Sequence, residues 1–234
     1  MSEGAVKAPA PRRAPLDTWY RDAARGTRPL EDMVMPEAWV SSQPQSPAVW
    51  LADRSYRRRL GAKGPGAESW LAAQGVRVPA GANSAAVDDH GILVARLATS
   101  EFLVEAVAGG EARVAEARRQ LTSTDRPPTV YPVERQDFAV EMGGRGTNAL
   151  LRQICNVDFE PLLASDSAAA GILLTSMVGV GVVAWVRSGG AEATVTLWCD
   201  PSFAEYFWTS LLEVGGDLEG GVALALPGSR GQPR

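Results

Sequence analysis

Leu60-Gly61-Ala62-Lys63-Gly64-Pro65-Gly66-Ala67-Glu68-Ser69-Trp70-Leu71 reads as a strand end, a glycine turn and a helix start. Its landmarks return 80 residues later: Gly64-Pro65-Gly66 as Gly144-Arg145-Gly146, and Trp70-Leu71 as Leu150-Leu151. At the same spacing Gly91-Ile92-Leu93 returns as Gly171-Ile172-Leu173. A self-match at a fixed period marks a unit built twice. Two copies make a duplicated fold rather than a solenoid, with a site or an interface between the halves.

Outward from that turn, the first unit (residues 48–124) takes shape. Val49–Leu51 and Arg57–Ala62 read as strands, and Ala67–Gln74 as a helix with Gly75 as its stop. Pro79–Asn83 is a loop. Ile92–Leu97 and Glu101–Ala106 form a strand pair, and Gly109-Gly110 precedes a helix at Glu111–Leu121. That helix spaces Ala112, Val114, Ala115, Ala117 and Leu121 along one face. Thr122–Pro132 is a connector stiffened by Pro127, Pro128 and Pro132.

The second unit (residues 125–216) repeats the order. Phe138–Met142 is a strand, Gly143–Gly146 a turn and Asn148–Ile154 a helix. Strands follow at Ile172–Met177, Gly181–Val186 and, after the turn Ser188-Gly189-Gly190, Thr194–Cys199. Pro201 opens a helix over Ser202–Glu213, ended by Gly215-Gly216. The expected class is α+β: two tandem strand-helix-strand-strand-helix units related by a pseudo-twofold, with 48–216 as one compact domain. Residues 1–47 are expected to form a flexible N-terminal arm, disordered over 1–15, and 217–234 a tail.

The bulk numbers bound the function. At 234 residues and 24.8 kDa, the chain suffices for one good core or two small ones. A formal charge of −4 and a pI near 5.2 argue against nucleic acid as the main partner. Arg57-Arg58-Arg59 reads as a solvated strand edge that blocks pairing with other chains. Two cysteines, Cys155 and Cys199, and one histidine, His90, are too few for an N/S zinc site. They also point to a reduced, cytoplasmic chain.

The first 15 residues lack an apolar run and do not read as a secretory signal. Ser167–Val186 carries no charged residue over about the length of a membrane span. Its glycines, and the match of its start to a strand in the first unit, read instead as two buried strands bent at Val178-Gly179.

Four features carry candidate chemistry. The Gly-x-Gly turns sit between strand and helix, as phosphate loops do. The full phosphate-binding pattern is absent, and their repetition favours a structural turn. Asp88 and Asp89 are candidate catalytic acids, since neighbouring carboxylates raise one another's pKa; Asp-Asp-His-Gly is equally turn chemistry. Trp198, Phe203, Tyr206, Phe207 and Trp208 lie at mostly helical spacing, which reads as core with an interface as the alternative. Trp19, Tyr20 and Trp39 in the arm dock either on the chain's own core or on another subunit. Trp19, Tyr20, Trp39, Tyr206 and Trp208 are the interface candidates.

Asp53-Arg54-Ser55 with Leu60–Leu71 resembles the opening of the aminomethyltransferase family, which includes the glycine-cleavage T-protein and other folate-binding domains. Leu150-Leu151, Cys155-Asn156-Val157-Asp158-Phe159, Leu174-Thr175, Val180-Gly181-Val182 and Ser202–Trp208 look like the gamma subunit of heterotetrameric sarcosine oxidase. The resemblance covers roughly residues 48–215 and implies the same duplicated fold.

Two departures bear on function. The catalytic pattern reads Gly-Ile-Leu-Asp-Asp where this chain has Gly91-Ile92-Leu93-Val94-Ala95. The folate-contacting glutamate segment would fall near Ser176–Val182, which holds no Glu. A pocket lined by Val94, Ala95 and Val180 would leave pterin donors unpaired, costing about 1–3 kcal/mol for each unmade bond.

The expectation is therefore a non-catalytic gamma-type subunit that binds no cofactor itself. Larger flavoprotein partners would carry flavin and NAD in a complex that oxidatively demethylates N-methyl amino acids. The alternatives are a stand-alone tetrahydrofolate-dependent aminomethyl or methyl transferase, using Asp88 or Asp89, and a small-ligand-binding regulatory protein.

Overall fold

The computed structural model describes residues 11–165, 170–188 and 193–229. The chain opens with α1 (Asp17–Ala23) and a hairpin of β1 (Ala24–Leu30) and β2 (Met33–Trp39). Next come β3 (Val49–Asp53), β4 (Arg59–Lys63), α2 (Ala67–Ala73), β5 (Ser84–Val87), β6 (Ile92–Ala98), β7 (Glu101–Ala106) and α3 (Glu111–Thr122). The second half holds β8 (Tyr131–Val133), β9 (Phe138–Gly143), α4 (Thr147–Ile154), α5 (Glu160–Leu163), β10 (Ala170–Met177), β11 (Val180–Arg187) and β12 (Thr194–Cys199). A 3-10 turn at Pro201–Phe203 leads into α6 (Ala204–Gly216) and β13 (Val222–Leu224).

Eleven strands form one sheet in the order β13-β3-β9-β12-β11-β10-β5-β6-β7-β4-β8. Neighbours are antiparallel except β13 and β3. The halves meet through a short register, Ala170 with Ala85 and Gly171 with Ser84. Each helix-preceding strand, β4 or β9, lies beside the last strand of its own half. Its other neighbour, β8 or β3, comes from the opposite unit.

The 80-residue spacing holds through the strand, turn and helix, because β9 and α4 follow β4 and α2 at that interval. It then fails. In sheet order β6 corresponds to β11, whereas Gly171-Ile172-Leu173 lies in β10. The Gly91/Gly171 match is a coincidence of sequence, and α5 and the longer β10–β11 hairpin supply the shift.

Alternation along the strands separates three larger cores from a small cluster of Trp50, Ala52, Ala223 and Ala225 at the β3–β13 end of the sheet. In β6 and β7, Ile92, Val94, Phe102 and Val104 face α2 and α3, packing with Leu71, Val114 and Leu121. In β9, β11 and β12, Phe138, Val140, Val182 and Leu197 face α4 and α6, packing with Leu150, Phe207 and Leu211. The opposite faces of both half-sheets share a third cluster, including Leu93, Leu103, Ala139, Trp185 and Trp198.

The arm expected to be flexible is folded over residues 17–39 and docks on the chain's own core, one of its two expected alternatives. Leu16, Tyr20, Met33 and Met35 are buried in the second half's core. Trp19 meets Trp39 and Trp208 edge-on, at 5.9 and 5.5 Å between ring centroids. The expected tail contains β13, which extends the sheet beyond β3. Residues 1–10, 166–169, 189–192 and 230–234 lie outside the described residues, so the expected disorder of 1–10, the Gly189-Gly190 turn and the end of the tail are not covered.

The described part of the uncharged stretch Ser167–Val186 lies in a β-hairpin of β10 and β11 turning at Val178 and Gly179, where φ is 44° and 82°. Among the described residues no helix is long and apolar enough to cross a membrane.

Candidate functional site

The face shared by the two half-sheets concentrates this chain's buried polar chemistry. Every second strand residue points there. β6 sends Leu93, Ala95 and Leu97 inward; β11 sends Val183 and Trp185; β12 sends Trp198. The Trp185 and Trp198 rings stack, 6.5 Å between centroids and 15° between planes. Apolar and aromatic side chains thus fill the space between the halves.

Two carboxylates stand at the edge of that filling, one from each half. Glu105 on β7 accepts from Arg57 Nη1 at 3.1 Å, from Trp198 Nε1 at 2.8 Å and from Arg59 Nε. Glu141 on β9 accepts from Arg54 Nε at 2.6 Å, Arg57 Nη2 at 3.0 Å and Arg187 Nη2 at 3.2 Å. Arg57 therefore bridges the halves, one nitrogen to each acid. Arg59 also donates to the Arg54 and Asp137 carbonyls at 2.7 and 3.2 Å. The Ser55 hydroxyl accepts from Ala139 N at 3.1 Å. The segment between β3 and β4 is thus stitched to both half-sheets.

Electrostatics follow from this packing. Burial works to raise the Glu141 pKa, but Arg57, Arg54 and Arg187 overcome it and hold the carboxyl below its usual range. Asp53 has no such excess of cations; burial pushes its pKa up despite bonds from Ser55 and Tyr20. Burial, helped by Asp53, also raises the Tyr20 phenol. The Cys199 thiol is pushed up to about 12 by burial, then by Asp137 and Asp200. A thiol so raised is a poor nucleophile at neutral pH.

The basic run expected to be a solvated edge is therefore split. Arg57 and Arg59 are enclosed, and only Arg58 points outward, to Glu31 at 2.6 Å. Two signals could have found this. Arg57 and Arg59 are two apart, so they share a strand face. Glu105 and Glu141 are carboxylates flanked by apolar residues within strands, which demand buried cations.

Asp88 Oδ1 accepts from His90 N at 2.9 Å and Ile92 N at 3.0 Å, clamping the β5–β6 turn, and Asp89 is exposed. Neither bonds to the arginine–glutamate cluster. Val94, Ala95 and Val180 do not line one pocket: Val94 faces α2 and α3, Val180 faces the second half's helices, and Ala95 alone faces inward. Tyr20 and Trp208 are spent inside the chain, and Trp19 and Trp39 pack against them; Tyr206 is 54% exposed.

The Gly-x-Gly turns hold the crossing strands. Gly66 N–H donates to Thr129 O at 3.2 Å, and Gly146 N–H to Ala48 O at 2.8 Å. The Gly66 and Gly146 amides are thus engaged by backbone carbonyls. A shallow hollow of about 490 Å³ lies at the sheet surface near Arg135, Asp137, Thr175 and Cys199. Among the described residues no three His, Cys, Asp or Glu side chains are grouped to hold a metal.

No family model matches the chain, and no curated protein matches it significantly. Solved structures do. A chain of the heterotetrameric sarcosine oxidase from Corynebacterium sp. U-96, in complex with pyrrole 2-carboxylate, aligns with a TM-score of 0.57 at 20% identity. The match covers 87% of this chain and 94% of that one. The glycine cleavage system aminomethyltransferase T from Bartonella henselae aligns with a TM-score of 0.56 at 16% identity, over 92% of this chain and 59% of that one. Both are of the kinds the sequence motifs resemble, and both likenesses are of fold.

Proposed function

We propose that this chain is a non-catalytic, gamma-type subunit of a flavin-dependent amine-oxidising complex of the sarcosine oxidase kind. The observation that carries this reading is the near end-to-end likeness, in both directions, to one chain of a heterotetrameric oxidase. The aminomethyltransferase, by contrast, runs well beyond the aligned part. The filled inner face is the second support. Where a cleft between halves would receive a ligand, this chain packs Trp185 and Trp198 and closes its rim with ion pairs.

In this reading the two halves are related by an approximate twofold, and the duplicated fold serves as a rigid block. Oxidative demethylation of an N-methyl amino acid, and the flavin and NAD it uses, belong to larger partners. Both cysteines are free, which fits a reducing cytoplasm. Exposed Tyr206, with Phe203 beside it on the same turn, offers an apolar contact for a partner.

Titration of the purified chain with tetrahydrofolate tests the filled-core half of the proposal. Trp185 and Trp198 fill the space between the halves, so a folate bound between them would change tryptophan emission. The expected result is no saturable change. A saturable low-micromolar transition contradicts the proposal and returns the chain to folate-dependent transfer chemistry.

A further inference from the structure

The two halves differ in how their helices cover the sheet. In the second half α6 lowers Phe207, Trp208 and Leu211 between itself, α4 and the sheet. In the first half α3 presents Val114, Ala117 and Leu121 instead. The smaller side chains leave a slot between α2, α3 and the outer face of β4, β6 and β7. Its volume is about 250 Å³, and Leu60, Leu71, Ile92, Val104, Val114 and Ala117 wall it. An apolar cavity of about 150 Å³ elsewhere suffices to bind benzene.

The mouth is polar on one side. Arg113 and Gln74 stand there, and Arg113 reaches toward the turn after α2: a Cβ built on Gly75 would sit 3.1 Å from its Nη2. Among the described residues Arg113 forms no ion pair, whereas Glu116, also at the rim, is engaged by Arg119 and Gln120.

We propose that this slot binds a small amphiphile with an apolar chain and a terminal carboxylate, the chain against Ile92 and Val104 and the carboxylate on Arg113. The charge at the mouth selects the anion, and the wall selects a body without polar groups. The proposal does not depend on the chain's role in an oxidase.

Calorimetric titration of the full chain with decanoate, below its micelle concentration, and with decanol as the neutral control, tests it. The expected result is one saturable decanoate site, bound more tightly than decanol. Arg113→Ala should weaken decanoate about tenfold, the loss of one charge-assisted contact, and leave decanol unchanged. Ala112→Phe, at the exposed rim, should abolish binding of both. Arg113 is exposed and unpaired, so its variant decides the matter if Ala112→Phe does not melt cooperatively. Absence of saturable binding, equal affinity for decanol, or decanoate binding untouched by Arg113→Ala overturns the proposal.

Discussion

Glu105 holds three donors in a place without solvent, so its removal leaves Trp198 Nε1 without its acceptor, Arg57 with Glu141 as its one carboxylate and Arg59 with backbone carbonyls alone. Breaking a buried pair by deleting one partner costs about 3–5 kcal/mol, far more than a surface pair is worth. Glu105→Ala should lose stability of that order in urea denaturation, while Arg58→Ala should change it by less than about 0.5 kcal/mol. Equal effects of the two would mean the cluster is solvated. pH reads the same chemistry. The lowered pKa of Glu141 adds stability above the unfolded value, about 4.3, that is lost as pH falls through the folded one. Glu141→Gln should therefore flatten the acid limb of the stability curve. Cys199 has the opposite sign: its folded pKa of about 12 exceeds the unfolded value. Its contribution is complete below pH ~8.5 and disappears as pH rises toward the folded value. Cys199→Ala should reduce the alkaline loss, followed by denaturation from pH 8 upward.

The strand–turn–helix elements were the most legible in the sequence, because glycine turns and apolar periodicity are local signals. Gly64 and Gly144 have φ of 113° and 111°. A Cβ at Gly64 would collide with the Thr129 carbonyl, and one at Gly144 would lie 2.6 Å from the Ala48 carbonyl. Each Gly→Ala change should lower stability by about 1–3 kcal/mol, measured by denaturant midpoint. Wild-type stability in either variant would mean the crossing strands are not held there. What escaped the sequence was non-local. β8 and β13 have three residues each and exist only because β4 and β3 offer edges. The α1–β1–β2 arm lacks periodicity, and the core of the second half folds it. Deleting residues 1–47 uncovers Trp208 and its neighbours and should broaden or abolish the cooperative melt. Arg57-Arg58-Arg59 reads as a solvated edge because charge suggests solvent, while the carboxylates that hold Arg59 and Arg57 inside lie 46 and 84 positions away.

Taken whole, the molecule is a long sheet folded on itself, helices outside and Trp185 and Trp198 between the halves. That arrangement spends its inner face on cohesion, and the chain aligns over most of both lengths with one chain of a heterotetrameric sarcosine oxidase. Affinity purification of the tagged chain from its native host, with the absorbance spectrum and subunit masses of the eluate, tests the accessory-subunit reading most directly. The expected eluate is yellow, shows flavin bands bleached by an N-methyl amino acid, and contains larger subunits in fixed ratio to this chain. A colourless eluate holding only the 24.8 kDa chain contradicts that reading.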